Sequence, residues 1–558
     1  MNPPPNRSAI GHIPMLWLVV PQIIGYTLAV VLPDSGRPAI WVGGSLGLLI
    51  IAYFRLQKSA QLSSWSPFYL VGAVLLAVGY YQWRQPAQPH LEHRAPREAD
   101  IVIDIDRVVR QASSSDAASR VSIYAKVIAC PAHLHYLSEQ KIFFSMYPDA
   151  EAAQPSALIR GAHYRVRGLL KYSADPQATD LTAFQQFLSR NGYYYRLQRA
   201  RIVQEVTPAP IFYRWCDRQN QHLQRIARKG SSNARERELA SIFTAMMLGI
   251  KGAIPPQQKD NFRISGTLHL FAISGLHVGI IAATLYILLS IIRVPLLPRC
   301  VIALCVLWLY VQITGASPSA IRAFSMAFFY WAALGVQRKP STFSALLASA
   351  FAVLVYEPQQ LLSVGFQLSY TVVTGLLLYG QPLIETLQNK FTLFRFTPED
   401  TLSIWQKAYR HVWQAGLGLL GMSIAAFFFS TPLSLAYFHV FAPASVLLNL
   451  LLIPLATLVI IGGSLSFLCG ILALSWLTIV FNHAAWLIIL TMTTCLEYAL
   501  LATWGFGTID AVSLSAAVIC ECCMFSCLLG LYFFKRQHST AFFATPPLAL
   551  LLMGLLSL

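Results

Sequence analysis

Apolar positions fill long unbroken runs at both ends of the chain and alternate with polar ones in the stretch between. Residues 15–31, 40–54 and 68–83 are near-continuous apolar runs, each of a length that predicts a membrane-crossing helix. The first reads as a retained helix and not a signal peptide. It is long for the apolar core of a signal, follows a single Arg and lacks an Ala-x-Ala cleavage site. From about residue 85 to 260 the pattern changes to period-two alternation at 101–106, 121–128 and 164–170, bounded by Ser, Pro, Asp and Gly. Such alternation predicts short antiparallel strands. Residues 182–191 predict one short helix and 193–203 a further strand. About five strands and one helix fit a small barrel, with an OB-fold as one candidate. Residues 208–237 predict a basic amphipathic helix and 238–251 a second helical stretch. Past Leu268 the apolar runs return, predicting helices near 268–292, 301–314, 320–336, 341–356, 361–379, 412–440, 445–472, 475–504, 513–534 and 540–557. Pro432 and Pro454 are kink sites within two of them.

The loops orient this pattern. Arg293/Arg299, Arg338/Lys339, the polar 390–410 stretch and Lys535/Arg536 all fall on one side if helices alternate, and basic loops belong on the cytoplasmic side. The expected fold is therefore a polytopic α-helical membrane protein of about thirteen spans, some of them broken, with an inserted OB-like barrel outside the cytoplasm. Its parts are three N-terminal helices (1–84), the barrel domain (85–207), basic amphipathic helices at the outer face (208–263) and a helical bundle (264–558).

Composition narrows the class. Of 558 residues 56% are hydrophobic and 12% charged, with mean hydropathy +0.54, against about 25% charged in a soluble domain. A soluble enzyme, a disordered protein and a secreted disulfide scaffold are excluded. The net charge of +17 is high for so apolar a chain, and cytoplasmic loops explain only part of it. Residues 160–229 hold 13 Lys and Arg against 4 Asp and Glu, interleaved with Tyr164, Tyr172, Tyr193, Tyr194, Tyr195, Phe212, Tyr213 and Trp215. A basic groove tracks phosphates and aromatic rings stack on unpaired bases; a basic surface near anionic lipid headgroups is the plainer alternative. The ten Cys lie mostly in apolar runs, where they read as small packing residues. That includes 520–523 with Cys527, which has no His nearby and so is a poor metal site. Cys130 and Cys216, in the middle segment, are open to a disulfide or to free thiols. A Walker A pattern is absent from the sequence, which argues against transport driven by the chain's own nucleotide hydrolysis.

The residues with chemistry cluster in 266–279, which places His269, Ser274 and His277 in an apolar stretch. Spacings of five and three predict one shared helical face. Polar groups at membrane depth face a cavity or pathway, which reads here as a pore lining or a broken helix facing water, or else they serve helix packing through Ser274, Gly275 and Gly279. Arg322 follows in 317–326, open to snorkelling or to facing a polyanion; Gln367 and Ser369 follow in 364–370, then His439 and Asn449. The run His-Leu-Phe-Ala-Ile-Ser-Gly-Leu-His-Val at 269–278 resembles the signature of the ComEC family, the inner-membrane DNA channel of natural transformation. Residues 317–326 resemble that family's Ser-x-x-Arg-Ala-x-x-Met element, 357–375 its Pro…Gly-Phe-Gln-Leu-Ser run, and 431–454 its Thr-Pro…Asn…Pro segment.

The resemblance implies a channel importing single-stranded DNA across the plasma membrane. His269, Ser274, Gly275, His277, Arg322, Gln367, Ser369 and Asn449 would line it. Arg160, Arg165, Arg167, Lys171, Arg199, Arg201, Tyr193 and Tyr195 would receive DNA on the barrel. It also implies partners: an outer-face DNA receptor, cytoplasmic single-strand-binding and recombination proteins or a translocation ATPase, and membrane lipid. No catalytic residue, metal or cofactor is assigned. Many family members end in a metallo-β-lactamase-like domain with a His-x-His-x-Asp-His motif. The His-x-His at 133–135 here is followed by Tyr-Leu-Ser, so the resemblance is to the shorter form. Two rivals predict different features. A secondary transporter of an anionic or lipid-linked substrate calls for repeats, which the sequence does not show. A membrane-embedded hydrolase calls for an activated Ser274, three residues from His277 and poorly aimed at it on a continuous helix.

Overall fold

The computed structural model describes residues 15–32, 38–58, 62–85, 96–111, 120–146, 158–172, 183–250, 254, 256–271, 273–394, 397, 401–501, 505–508, 512–534 and 538–557. Of the expected cytoplasmic charges, Lys535 and Arg536 lie outside these residues.

Three helices come first: α1 (Leu16–Val31), α2 (Pro38–Lys58) and α3 (Leu62–Arg84). A closed barrel follows, built from β1 (Arg97–Gln111), β2 (Arg120–Ala129), β3 (Lys141–Met146), β4 (His163–Tyr172) and β5 (Tyr195–Thr207), in the order β1-β2-β3-β5-β4. All pairings are antiparallel except β3 with β5. The alternation read from the sequence is what fills it. Ile101, Ile103 and Ile105 of β1, Ile123 and Val127 of β2, and Tyr164 and Val166 of β4 point inward and are buried. The residues between them, such as Arg165 and Arg167, point out. Helix α4 (Ala183–Arg190) seats Leu188 against Phe143 and Tyr193. One bulge shapes β5: Arg199 takes φ 51° opposite Gly168, where an added Cβ would lie 2.9 Å from the Gln198 carbonyl oxygen. A side chain at 168 would push the bulged strand away.

The predicted basic helix over 208–237 is interrupted. It forms α5 (Ile211–Ala227), then a turn, then α6 (Ala234–Leu248), because Asn233 caps α6 in a reciprocal box with Glu236. The backbone and hydroxyl of Ser232 donate to the Glu236 carboxylate and hold its pKa below the usual range. Helix α6 is no surface helix. Phe243, Ala245, Met246 and Met247 are at most 1% exposed and pack into the main apolar core. Polar contacts fasten the pair there: Tyr310 donates to the Met247 carbonyl (2.6 Å), and Asn482 donates to the carbonyls of Ile226 (2.8 Å) and Lys229 (3.0 Å).

After α7 (Pro256–Ile264) and a 3-10 turn at Leu268–Phe271, the bundle continues through α8 (Gly275–Ile291), α9 (Leu296–Ile313), α10 (Pro318–Gly335), α11 (Thr342–Tyr356) and α12 (Val364–Gly375). A π-helical segment, Leu376–Gly380, links α12 directly to α13 (Gln381–Lys390). Then come α14 (Ile404–Phe438), β6 (Val440–Phe441), α15 (Ser445–Ile471), α16 (Ser475–Leu500), β7 (Gly507–Thr508), α17 (Leu514–Phe533) and α18 (Thr540–Ser557). Strand β6 pairs with β7, tying the α14–α15 corner to the link after α16. Small residues let the helices close on each other: a side chain on Gly375 would run into the Phe429 ring of α14.

Every apolar run read from the sequence falls on a helix. Among the described residues seven are long and apolar enough to cross a membrane, in α2, α3, α9, α14, α15, α16 and α17. The apolar segments Leu16–Val31, Gly275–Ile291, Thr342–Tyr356 and Thr540–Gly554, in α1, α8, α11 and α18, are shorter.

Candidate functional site

The four segments singled out in the sequence meet one another. Ser319, at the start of α10, donates to the Ile273 carbonyl (2.9 Å), joining the 317–326 segment to the 269–278 segment. A Cβ on Gly275 would sit 4.0 Å from Ala323. From α10 the Arg322 guanidinium reaches the first turn of α12, where a Cβ on Gly365 would lie 3.2 Å from Nη2. From α12, Gln367 accepts a hydrogen bond from the Tyr437 hydroxyl at the end of α14 (2.9 Å) and donates to the Leu361 carbonyl (3.1 Å). The chain then turns into α15, and Ala442 and Ser445 stand 3.5 and 3.8 Å from where a Cβ on Gly266 would be. That contact returns to the turn that leads into His269.

Local structure departs from one expectation. His269, Ser274 and His277 do not share a helical face, because the run predicted as one helix from 268 is broken. His269 lies in the 3-10 turn, exposed, with Nδ1 3.0 Å from the Gly266 carbonyl oxygen. Ser274 is the N-cap residue of α8, in extended backbone conformation. The break also corrects the expected misalignment of Ser274 and His277. As a cap residue, Ser274 turns its hydroxyl onto the helix's first turn, and Oγ lies 3.0 Å from His277 Nδ1. His277 is fully buried, and its Nε2 has no partner. In a catalytic triad a third group orients the imidazole through its other nitrogen. Among the described residues no such group reaches His277 Nε2, so the Ser274–His277 pair is a hydrogen-bonded contact and not a triad.

Arg322 does not snorkel. It is 5% exposed, and its Nε is buried without a hydrogen-bond partner. Asn449, on α15, is 9% exposed with Oδ1 likewise unpartnered. Ser369, half-buried on α12, is not brought into any of these contacts. The sequence reading missed a buried hydroxyl chain beside Arg322. Ser325 Oγ is 2.5 Å from Ser349 Oγ, which is 2.7 Å from the Tyr370 hydroxyl, linking α10, α11 and α12. Ser349 gave no signal in sequence, being one serine in an apolar helix. Tyr370 directly follows the Gly-Phe-Gln-Leu-Ser run, and that position is the available clue.

On the barrel the expected DNA-binding residues divide. Arg165, Arg167, Lys171, Arg199 and Arg201 are exposed on β4 and β5. Arg167 stands opposite Arg201, and Lys171 opposite Arg196. Like charges directly across a ladder repel, so this face is one that an anion would stabilise. Asp100 on β1 already offsets part of it, accepting from Arg165 Nε (2.8 Å) and Arg167 Nη2 (3.0 Å). Those hydrogen bonds, Arg165 first, hold its carboxyl below the usual range. Arg160 lies over the Tyr213 ring at 5.2 Å and 3.9 Å from Asp106. Tyr193 and Tyr195 are different. They are 7% and 8% exposed and packed, Tyr193 against Tyr124 in the small cluster under α4 and Tyr195 in the barrel core against Tyr136 and Tyr172. Their rings are taken up by packing and do not present a face for bases. Burial, with Asp106, Tyr124 and Glu357 nearby, raises the Tyr193 pKa. Cys130 and Cys216 are both free thiols.

No solved structure matches the chain. Among curated proteins, ComE operon protein 3 of Bacillus subtilis (strain 168) is 31% identical over 235 residues, which is 42% of this chain and 26% of that protein. The uncharacterized protein YcaI of Escherichia coli (strain K12) is 26% identical over 231 residues, 39% of this chain and 28% of that protein. The chain thus matches little more than a quarter of the length of either relative. The family model for competence proteins matches residues 246–536, just over half of the chain and all four of the segments that meet around α8, α10, α12 and α15. The chain belongs to the ComEC family of competence proteins.

Proposed function

We propose that the chain conducts a single strand of DNA across the plasma membrane during natural transformation. The observation that carries this reading is the meeting of the four motif segments, where three buried polar atoms, His277 Nε2, Arg322 Nε and Asn449 Oδ1, have no partner among the described residues. Unpartnered polar atoms are expensive in a packed interior unless water or a passing polar ligand satisfies them. That is the chemistry of a conduit. A backbone of phosphates and bases needs donors and acceptors that bind weakly enough to release it. About thirteen spans, some broken like the one before α8, would frame this path.

The barrel is the receiving surface in this reading. Its strand order and parallel β3–β5 closure support an OB-like fold, a common platform for single strands. Reception rests on the exposed basic residues of β4 and β5 and not on stacking by Tyr193 and Tyr195. Basic loops at Arg293, Arg299, Arg338 and Lys339 support a cytoplasmic side opposite the barrel. An outer-face DNA receptor, cytoplasmic single-strand-binding or recombination proteins and a translocation ATPase are the partners this role requires. The test is DNA import in a strain lacking the gene, restored by the wild-type chain and by its variants. Restoration by Arg322→Gln and Asn449→Leu together at wild-type rate would contradict the conduit.

A further inference from the structure

Arg322 is a buried cation with no counter-ion among the described residues. Among the described residues its guanidinium makes no hydrogen bond and no ion pair, and its Nε is enclosed. An arginine stays charged in proteins, so an enclosed Nε–H with no partner is unfavourable, while Nη1 and Nη2 are not enclosed. Nearby hydroxyls do not relieve it. Ser325 donates to the Arg322 carbonyl (2.8 Å), and the Ser349–Tyr370 contact is internal to its own chain of hydroxyls.

The guanidinium instead faces a helix start. Helix α12 begins at Val364, with Ser363 as N-cap. The Ser363 hydroxyl accepts from the Phe366 N–H, leaving the first-turn N–H groups of Val364 and Gly365 without intrahelical partners. Gly365 is exposed, and any Cβ there would stand 3.2 Å from Nη2 and 3.6 Å from Nη1. Glycine thus keeps the space over the guanidinium open to the outside. The helix runs on through the π segment into α13, so its N-terminus carries the positive end of a long dipole. A buried guanidinium, free backbone N–H groups, a helix N-terminus and an open approach make a site for a phosphate oxygen pair.

We propose that Arg322 and the first turn of α12 form a phosphodiester-binding site for single-stranded DNA, kept open by Gly365. It rests on the conduit reading and gives it a specific station: each backbone phosphate in turn supplies the missing counter-ion. Binding there is single-site and partly solvent-open, which suits transient capture and release.

The test uses the full chain in nanodiscs of phosphatidylcholine, with thermal unfolding followed as a tetrathymidylate is added. The wild type gains stability with added ligand. Arg322→Gln and Gly365→Ala should each weaken that response by roughly ten- to a hundredfold in apparent Kd, the range for losing one charged hydrogen-bonding contact. Alanine suits the early turns of a helix, so Gly365→Ala keeps the fold if Arg322→Gln does not. A barrel variant, Arg167→Gln with Arg201→Gln, should leave the residual response that Gly365→Ala removes. Equal responses in the wild type and Gly365→Ala overturn the site, and DNA import remains a separate readout for the conduit. A response to phosphatidylglycerol in the nanodisc, but not to the tetranucleotide, overturns the DNA occupant in favour of a lipid headgroup.

Discussion

Ser274 Oγ and His277 Nδ1 lie 3.0 Å apart across the first turn of α8, where the broken helix starts. The contact satisfies one nitrogen of a fully buried imidazole. Removing the hydroxyl with Ser274→Ala leaves that nitrogen without a partner and should destabilise the chain by about 1–3 kcal/mol. DNA import per folded molecule should change little. A hydrolase built on Ser274 would instead lose all turnover while binding persisted. Unfolding midpoints of the purified variant, set beside import normalised to membrane abundance, separate the two.

Asp100 restrains the basic face of the barrel by accepting from both Arg165 and Arg167. Its carboxyl pKa is lowered in the folded chain, so the carboxylate stays ionised through the neutral range. The sign follows: its contribution to stability is complete above the ordinary carboxylate pKa and is lost only as pH falls below about 4. Asp100→Asn removes that dependence and frees two guanidinium groups. Single-strand binding should tighten, and its log–log salt slope should steepen by up to about 1.4, two phosphates at about 0.7 each. Anisotropy titrations with a labelled oligonucleotide at several salt concentrations check it, and an unchanged slope would count against this face as a DNA contact.

Tyr195 is a core residue. Its ring packs against Tyr136 and Tyr172 where β3, β4 and β5 come together. Tyr195→Ala should cost about 3–5 kcal/mol, as for other large aromatic truncations, and should open the barrel to protease. Tyr195→Phe keeps the ring and should leave both protease resistance and DNA binding near wild type. Loss of DNA binding in a protease-resistant Tyr195→Ala chain would return the ring to a stacking role.

Gly375 sets how closely α12 approaches α14. A methyl group there meets the Phe429 ring, so Gly375→Ala should force the two helices apart at about 1–3 kcal/mol. Because Gln367 and Tyr437 join the same two helices, import should fall together with stability. Phe429→Leu in the same chain should recover part of both, measured by unfolding and by uptake.

The sequence carried the helices well because long apolar runs leave little choice of structure. It carried the barrel because Ile101, Ile103 and Ile105 alternate with polar neighbours. It left a broken helix before α8 as one of two readings, since periodicity alone does not decide whether Ser274 caps a helix or lies within one. The division of 208–237 was hidden for the opposite reason: Asn233 and Glu236 form a capping box inside what reads as one basic helix. The tyrosines misled because a ring among arginines looks the same in sequence whether it faces bases or a core. Ser349, Tyr370 and the Arg322–Gly365 approach depend on contacts between helices distant in sequence, which periodicity does not encode.

Strand conduction by this chain is tested by entry of fluorescent DNA into the cytoplasm of a competent strain lacking the gene, with transformants counted in parallel. Without the chain, labelled DNA should gather at the outer face, fail to enter and yield no transformants. The wild-type chain should restore both readouts, and a chain carrying Arg322→Gln should restore neither at wild-type abundance. Normal import and transformation in the deletion strain would contradict strand conduction by this chain.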